Sequence, residues 1–312
     1  MKNLPLAIQN LREIIEGEYV YVDKTDLLRE LIKIKQVFLS RPRRFGKSLF
    51  LDTLEEVFQG NADLFSGLKI AASGYEFKKY PVLRLSMTGD CSSPELLKEG
   101  LITKLEDIVK PYFPKVKLRS DKPGVALQRL IKDISQECGE KVVALIDEYD
   151  YPVSHYTDNP PLAKANTAVL SSFYVGFKEV DEFLRFVMVT GVTRYAMMGL
   201  SAGLNQLVDI SFNPKYAAIC GFTPDELDQY FGDRYDSVLE HQKSIGKMPV
   251  ESSVADLRQK IFDWYDGYTW DGRTRVLNPI SILNFFNDSY FKEYWNFSAH
   301  SYVFLKNTMA AN

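Results

Sequence analysis

The sequence has few cysteines and few histidines, and this scarcity argues against two kinds of site. The three cysteines, Cys91, Cys138 and Cys220, are odd in number and far apart, which argues against a disulfide framework and against a zinc knuckle. The three histidines are scattered without metal-ligand spacing, so no zinc site is expected. This cysteine usage favours a reducing cytoplasm.

Long apolar runs and an excess of positive charge are also missing. No segment contains the roughly 20 apolar residues that a bilayer-spanning helix needs, and the N-terminus lacks the apolar run of a signal peptide. The net charge of -3 argues against sequence-independent binding to nucleic acid, so any such surface would be local. We expect a cytoplasmic protein of one or two domains that does not contact a membrane.

The first two thirds of the chain alternate apolar strands with helices. Strands are predicted at QVFLS, YPVLRLSM, KVVALIDEYD and EFLRFVMVTGVTR. Helices are predicted at SLFLDTLEEVFQG, LLKEGLITKLEDIVKPYF and GVALQRLIKDISQEC. YVYVD predicts a strand or an extended edge, and Thr25 is expected to cap the helix that follows it. Continuous apolar strands alternating with helices predict a parallel sheet covered by helices, which is a doubly wound α/β domain.

The pattern changes near residue 213. GFTPDEL predicts a capped helix, with Thr223 as the N-cap, Pro224 in the first turn and Glu226 closing a capping box. Short helices and aromatic loops follow this helix. We therefore divide the chain into an α/β domain at residues 1–212 and a smaller, mostly helical module at residues 213–312.

The stretch RPRRFGKS, residues 41–48, combines part of a phosphate-binding signature with an unusual entry. Gly46, Lys47 and Ser48 occupy the last three places of G-x-x-x-x-G-K-[ST], but Arg41 stands where the first glycine belongs. A predicted strand precedes the stretch and a predicted helix follows it, which is the context that lets backbone N–H groups surround a phosphate. We predict that Lys47 contacts the β and γ phosphates and that Ser48 gives its hydroxyl to Mg²⁺.

Two further strands end in polar residues. In VVALIDEYD, apolar residues lead to Asp147 and Glu148, the arrangement of a Walker B strand. Asp147 would hold Mg²⁺, and Glu148 would polarise the attacking water as a general base. FVMVTGVTR delivers Thr190, Thr193 and Arg194 to the carboxyl edge of the sheet, where ligands of such folds bind. One of these three would sense the γ-phosphate.

Each of these signals has an alternative without chemistry. RPRR can be a solvated basic turn with GKS as a chance tripeptide, and either strand can end in polar residues that simply meet solvent. RPRRFGKS, which we call the phosphate loop, comes first in the chain, and VVALIDEYD, the strand that ends in acids, comes later. This is the chain order that a P-loop ATPase needs. The two incomplete signals in this order together predict one ATP site.

Nine stretches, in order and spread over nearly the whole chain, carry a family resemblance: YVDKTDLL, FLSRPRRFGKSLFLDTLEEVFQG, PVLRLSM, ALIDEYDYP, VTGVTRYA, SAGLNQLVDIS, GFTPDEL, WYDGY and NPISIL. On these stretches the chain resembles the bacterial AAA-ATPase-like family, P-loop proteins usually followed by a nuclease-like domain of the PD-(D/E)XK type. The family's own phosphate loop looks like RPRRFGKS, so Arg41 in place of glycine agrees with it. No nuclease-like domain is expected within the 312 residues.

The resemblance implies an AAA-like P-loop core that binds ATP and Mg²⁺. It implies that Lys47 and Ser48 contact phosphate and Mg²⁺ and that Asp147 and Glu148 are the Walker B pair. With the strand ends read above, the predicted catalytic residues are Glu148, Lys47 and Arg194, and the predicted metal ligands are Ser48 and Asp147. The predicted nucleotide-binding residues are Arg43, Arg44, Phe45, Gly46, Lys47, Ser48 and Leu49, with contact to another chain as the alternative for Arg43 and Arg44. We expect residues 21–25 to contact the adenine.

Two functions stay open at this point. The first is an ATPase with slow, Mg²⁺-dependent hydrolysis, in which nucleotide changes the angle between the core and the helical module. The second is a nucleotide-gated switch or scaffold with little turnover, in a nucleic-acid-related or defence system. A local patch that includes Arg43 and Arg44 would be the place for nucleic acid, and a homo-oligomer is open because AAA-like proteins often place ATP at a subunit boundary.

Overall fold

A computed structural model describes residues 1–194 and 205–295 of the chain. The strands are β1 (Gln36–Ser40), β2 (Val82–Ser86), β3 (Val142–Asp147), β4 (Leu184–Gly191), β5 (Val208–Asp209), β6 (Tyr268–Thr269) and β7 (Arg275–Val276). The helices are α1 (Leu11–Glu16), α2 (Thr25–Leu31), α3 (Lys47–Phe58), α4 (Lys69–Ala72), α5 (Pro94–Tyr112), α6 (Pro123–Cys138), α7 (Tyr151–Ser154), α8 (Pro160–Lys178), α9 (Pro224–Phe231), α10 (Tyr235–Ser244), α11 (Val254–Tyr265) and α12 (Pro279–Asp288). In these ranges no helix is both long and apolar enough to cross a membrane.

Two compact units divide the described residues. We call the first the sheet unit; it contains residues 25–42 and the described residues from 50 to 211. The second, the helical unit, contains residues 1–24, residues 43–49 and the described residues from 212 onward. The phosphate loop therefore begins in the sheet unit and continues in the helical unit.

A five-stranded parallel sheet forms the centre of the sheet unit, with the strand order β2-β3-β4-β1-β5. β4 lies between β3 and β1, so β3 and the strand before the phosphate loop share one neighbour. Ser40 of β1 is opposite Gly191 of β4, and Ile146 of β3 is opposite Val189 of β4. This register brings the carboxyl ends of the three strands to the same edge of the sheet.

Apolar side chains fill the space on both faces of this sheet. All six residues of β3 are buried, because a strand covered by helices on both faces has no solvent-facing side. The main core joins β3 and β4 to α5, α6 and α8, and Leu105, Leu130 and Phe173 are among its fully buried members. The α/β fold with a parallel sheet and flanking helices is thus the one that the sequence predicts.

The helical unit has its own core. It is formed by apolar residues of α9, α10, α11 and α12, together with Val20 and Val22 from the N-terminal segment. Phe231 and Phe286 stack in this core with ring centroids 5.2 Å apart. β6 and β7 pair antiparallel as a short hairpin between α11 and α12.

Most predicted helix boundaries are confirmed, and of the two alternatives for YVYVD, a strand or an extended edge, the strand is wrong. Ser93 accepts a hydrogen bond from the Leu96 N–H at the start of α5, and Thr223 forms a capping box with Glu226 at the start of α9. YVYVD makes no strand: only Tyr19 pairs, with Asn3, in an isolated bridge. Its alternating valines instead enter the core of the helical unit.

Thr25 is the first residue of α2, one position inside the helix that it was expected to cap. Its hydroxyl accepts a hydrogen bond from the N–H of Ile70, 3.0 Å away. A cap position predicted from sequence is often displaced by one residue, and here the hydroxyl contacts the segment that carries α4.

The capping box of α9 generates a stability prediction. Thr223→Ala removes the side-chain oxygen that accepts from Glu226 N at 3.2 Å, so we expect the free energy of unfolding to fall by about 1 kcal/mol. Urea denaturation followed by circular dichroism measures the change. Thr157→Ala, at an exposed turn position, is the matched control and should change stability by less than about 0.5 kcal/mol. Equal stability of the two variants would contradict a contribution from the cap.

Candidate functional site

The phosphate loop connects β1 to α3, as its sequence predicts. β1 ends at Ser40, and the 12-residue α3 begins at Lys47. Gly46 has φ +89°, and an added Cβ would meet no atom within 4 Å, so glycine is required there by backbone conformation and not by crowding. Arg44 has φ 65°, which is rare for a residue with a side chain. Phe45 therefore lies between two left-handed residues, Arg44 and Gly46.

The side chains of the loop differ in exposure. Phe45 and Lys47 are buried, at 1% and 6% exposure, and Gly46 and Arg44 are exposed. Arg43, Ser48 and Leu49 are partly buried. The N-terminus of α3 carries Lys47 and Ser48 and has no acidic residue in its first turn, so it is a suitable position for an anion.

Arg41 replaces the first glycine of the signature and is a structural residue. Its side chain is 1% exposed, and Nη1 donates to the carbonyl oxygens of Ser40 and Ser211, each at 2.8 Å. Its backbone N–H donates to Gly191 O at 3.1 Å, which continues the β1–β4 pairing by one residue. For this arginine, the alternative of a solvated basic turn is wrong. Its burial was not visible in a sequence rich in neighbouring arginines.

The end of β3 is linked to β4 by side-chain hydrogen bonds. Asp147 Oδ1 accepts from the Thr190 hydroxyl at 2.6 Å and from the Glu148 N–H at 3.0 Å. Asp147 is 7% exposed and Thr190 is fully buried. Glu148 has φ 52° and is partly buried, so the residue after the strand turns sharply out of the sheet. The structure thus brings Asp147, Glu148 and Thr190 together.

Asp150 holds the loop that follows β4, a contact that the sequence did not indicate. Its carboxylate accepts from the Thr193 N–H at 2.8 Å, from the Thr193 hydroxyl at 2.9 Å and from the Val192 N–H at 3.2 Å. Tyr149 adds a hydrogen bond from its hydroxyl to Thr193 O at 2.7 Å. A Cβ on Gly191 would lie 2.4 Å from the Tyr149 ring, so only glycine permits this close approach.

Tyr174 of α8 interacts electrostatically with Tyr149 and Asp150, and its hydroxyl is buried. Burial raises the pKa of Tyr174 well above its ordinary value, and the nearby Tyr149 and Asp150 raise it further. The phenol therefore stays neutral at physiological pH. Its oxygen has no hydrogen-bond partner among the residues that the structure describes.

Arg194 forms an ion pair with Asp209 at the end of β5. Its Nη2 lies 2.6 Å from Asp209 Oδ2, and the Arg194 side chain is 53% exposed. An arginine in this position would have to exchange this partner for a phosphate in order to act as a sensor. The next residues, 195–204, lie outside the described residues, and parts of VTGVTRYA and SAGLNQLVDIS are among them.

A network of charges ties α3 to β2. Arg84 Nη1 lies 2.6 Å from Asp52 Oδ1 and 3.0 Å from Glu55 Oε2. Burial raises the pKa of Glu55, and the hydrogen bond and charge of Arg84 oppose that rise. The network fixes the second and third turns of α3.

The segment expected to contact adenine has partners of its own in the helical unit. Lys24 Nζ lies 2.6 Å from Glu226 Oε1, and both side chains are largely buried. The N–H of Asp23 donates to the Tyr230 hydroxyl at 3.2 Å. These contacts join the YVDKT and GFTPDEL stretches, which are about 200 residues apart in sequence. Contact of residues 21–25 with adenine stays a prediction.

The donor set suits magnesium bound together with phosphate. In residues 1–194 and 205–295, no three His, Cys, Asp or Glu side chains are grouped so that they could hold a metal ion. Mg²⁺ at nucleotide sites needs only one or two protein oxygens, because phosphates and waters supply the others. The carboxylate of Asp147 and the hydroxyl of Ser48 are hard oxygen ligands of this kind. Since Lys47 belongs to the helical unit and Asp147 to the sheet unit, their convergence on one triphosphate stays a prediction.

Comparison with known proteins adds an independent finding. The model of a family described as "Predicted AAA-ATPase" matches residues 5–201. The chain is also similar to an uncharacterized protein in the vnfD 5' region of Azotobacter chroococcum mcd 1, with 36% identity over 296 residues. The match covers 94% of this chain and 54% of the relative, so the chain spans about half the length of the curated relative that it matches.

Asp150 provides a test of the loop that follows β4. Asp150→Asn replaces one carboxylate oxygen by an NH₂ group, which cannot accept a hydrogen bond. We therefore expect the free energy of unfolding to fall by about 1–3 kcal/mol. We also expect faster amide exchange at Val192 and Thr193, measured by hydrogen–deuterium exchange. Asp158→Asn, at an exposed position, is the control and should behave as the wild type. Unchanged exchange at both amides would show that Asp150 does not hold the loop.

Proposed function

The chain belongs to the family of predicted AAA-ATPases, and we propose that it binds ATP together with Mg²⁺ and hydrolyses it. The observation that supports this proposal most strongly is the arrangement of the sheet edge. Asp147 and Thr190 are hydrogen-bonded at the ends of β3 and β4, and β4 pairs directly with the strand that leads into the phosphate loop. In open α/β sheets, ligands bind outside the carboxyl ends of the strands.

In the proposed complex, the start of α3 binds the phosphates. Backbone N–H groups at the N-terminus of the helix and the Lys47 ammonium would contact the β and γ phosphates. Arg43 and Arg44 would add charge at the rim of the same loop. Ser48 and Asp147 would hold Mg²⁺, which would draw negative charge from the phosphate oxygens.

Hydrolysis needs a base beside the attacking water. Glu148 is the residue that we assign to this role, because it follows the buried Asp147 and turns out of the sheet with φ 52°. Its carboxylate would accept a proton as the water oxygen bonds to the γ-phosphorus and the bond to the β–γ bridging oxygen breaks, giving ADP and phosphate. Arg194 would contact the γ-phosphate after leaving Asp209.

A nucleotide-gated switch with little turnover is the second candidate. Arg41 supports it, because the buried arginine and the following proline replace the flexible glycine entry of the signature, and proline supplies no N–H donor. Donors placed to stabilise the transition state are often worth a few kcal/mol each. A division into functional domains at residue 212, a homo-oligomer and a nucleic-acid patch at Arg43 and Arg44 stay predictions.

Glu148→Gln separates the two functions. If Glu148 is the general base, this substitution lowers phosphate release by about 100-fold or more and leaves the affinity for MgATP within about threefold of the wild type. Phosphate release and isothermal titration calorimetry measure the two quantities on the same preparations. Glu137→Gln, at an exposed position on α6, is the control and should release phosphate as the wild type does. Tight binding without release by the wild type would favour the switch, and unchanged release by Glu148→Gln would remove Glu148 from the mechanism.

A double-mutant cycle tests whether Lys47 and Asp147 act on the same nucleotide. We expect Lys47→Ala and Asp147→Asn each to weaken MgATP binding by about 10- to 100-fold, since each removes a charge-assisted contact. If both contact one Mg²⁺-triphosphate, the double variant loses less than the product of the two effects. Lys164→Ala, on the exposed face of α8, is the control. Strictly multiplicative losses would show that the two residues are not coupled, and unchanged affinity in either single variant would place that residue outside the nucleotide site.

A further inference from the structure

Phe45 of the phosphate loop packs in the helical unit against the β6–β7 hairpin. Its ring centroid lies 4.7 Å from that of Tyr268 and 5.9 Å from that of Trp270, with interplanar angles of 70° and 81°. Both are edge-to-face arrangements, which are favourable for aromatic pairs. Tyr268 is 223 positions after Phe45 in the sequence. We call Phe45, Tyr268 and Trp270 the aromatic clamp.

The burial of Phe45 accounts for the conformation of its neighbours. Arg44 and Gly46 on either side are left-handed, and for Arg44 this conformation is strained. Such a residue persists only where the surrounding structure holds it. Phe45 is 1% exposed, and its contacts with the hairpin fix the chain between the two left-handed residues. The clamp thus supplies the constraint that the loop needs.

The hairpin that carries the clamp is itself well ordered by local contacts. The Asp271 carboxylate accepts from the N–H groups of Arg273 and Thr274 at 2.8 and 2.7 Å, and from the Thr274 hydroxyl at 2.7 Å. These hydrogen bonds hold the pKa of Asp271 far below its usual range. Tyr268 pairs with Val276, which is fully buried in the helical unit. The clamp residues are therefore presented by a preorganised element.

We propose that the aromatic clamp positions the phosphate loop for nucleotide, so that affinity for nucleotide depends on the β6–β7 hairpin. Phe45, Tyr268 and Trp270 are positioning residues: they act through the backbone of residues 44–46 and not by contact with a phosphate. The hairpin would thus hold a phosphate loop whose entry has Arg41 in place of the first glycine of the signature. This inference rests on the proposed function, because it concerns the same nucleotide site.

Titration of MgATPγS into variants of the full chain tests the proposal. We expect Phe45→Leu and Trp270→Leu each to weaken binding by about 3- to 10-fold, the range that corresponds to the loss of an aromatic pair. The double variant should lose less than the product of the two single effects, since both substitutions remove the contact between Phe45 and Trp270. Trp270→Phe, which keeps a ring at this position, should bind within about twofold of the wild type.

Trp264→Leu is the matched control. Trp264 lies on α11 in the same unit and packs against Tyr265 and Phe291, so its loss should leave the affinity for MgATPγS unchanged. Thermal unfolding midpoints of all variants accompany the titrations, because a purely structural role of the clamp predicts lower midpoints with unchanged affinity. Should Phe45→Leu fail to fold, Trp270→Leu decides the question, since Trp270 is only partly buried.

The possible failures are distinguishable. Binding by the wild type with equal affinity in Phe45→Leu, Trp270→Leu and Trp264→Leu would overturn the clamp and leave the proposed function standing. A wild type that does not bind MgATPγS would overturn the proposed function and the clamp with it. Weaker binding by Trp264→Leu to the same extent as by Trp270→Leu would overturn the clamp, because the effect would then belong to the helical unit in general.

Discussion

The parallel register of β3, β4 and β1 is the constraint on which the candidate site depends. Because β4 pairs with both other strands, the end of β3 is fixed relative to the strand that leads into the phosphate loop. The hydrogen bond between Thr190 and Asp147 completes this arrangement with side chains. A shift of one residue in the β3–β4 pairing would move Asp147 away from Thr190, and a shift in either pairing would turn buried side chains to the opposite face. The buried apolar residues of β3 and β4 therefore fix the register that places Asp147 beside Thr190.

Much of the fold could be predicted because its signals are local. QVFLS forms β1 over the predicted residues, and the capping box of α9 follows from four neighbouring side chains. The strand prediction for YVYVD was wrong because it used a local signal alone. The stretch alternates as a strand does, but Val20 and Val22 pack into the core of the helical unit. A local pattern reports which side chains are buried, and a strand needs a pairing partner as well.

The contacts that could not be predicted are those between residues far apart in sequence. Lys24 with Glu226, Arg41 with Ser211 and Phe45 with Trp270 each join stretches that no spacing rule connects. Charged residues were misleading in particular, since an arginine in RPRR resembles a solvated residue until its carbonyl partners are known. The role of Asp150 was also not evident from the sequence, because Asp147 and Glu148 already supplied two acids at the end of the same strand. Residue chemistry indicated the candidate site, and its supporting contacts required coordinates.

The energetics of the turn at Glu148 show why those supporting contacts matter. A left-handed residue with a side chain costs on the order of 1–3 kcal/mol, so Glu148 would adopt a more common conformation if its neighbours allowed it. Hydrogen bonds to a charged group contribute about 1.5–3 kcal/mol each, and the buried Asp150, two residues later, accepts several from Val192 and Thr193. Asp147 accepts another from the Glu148 N–H itself. These contributions exceed the strain, and the turn is therefore held on both sides. In the general-base role that we propose for Glu148, position relative to the attacking water matters before the pKa does, and a strained but fixed backbone would supply that position.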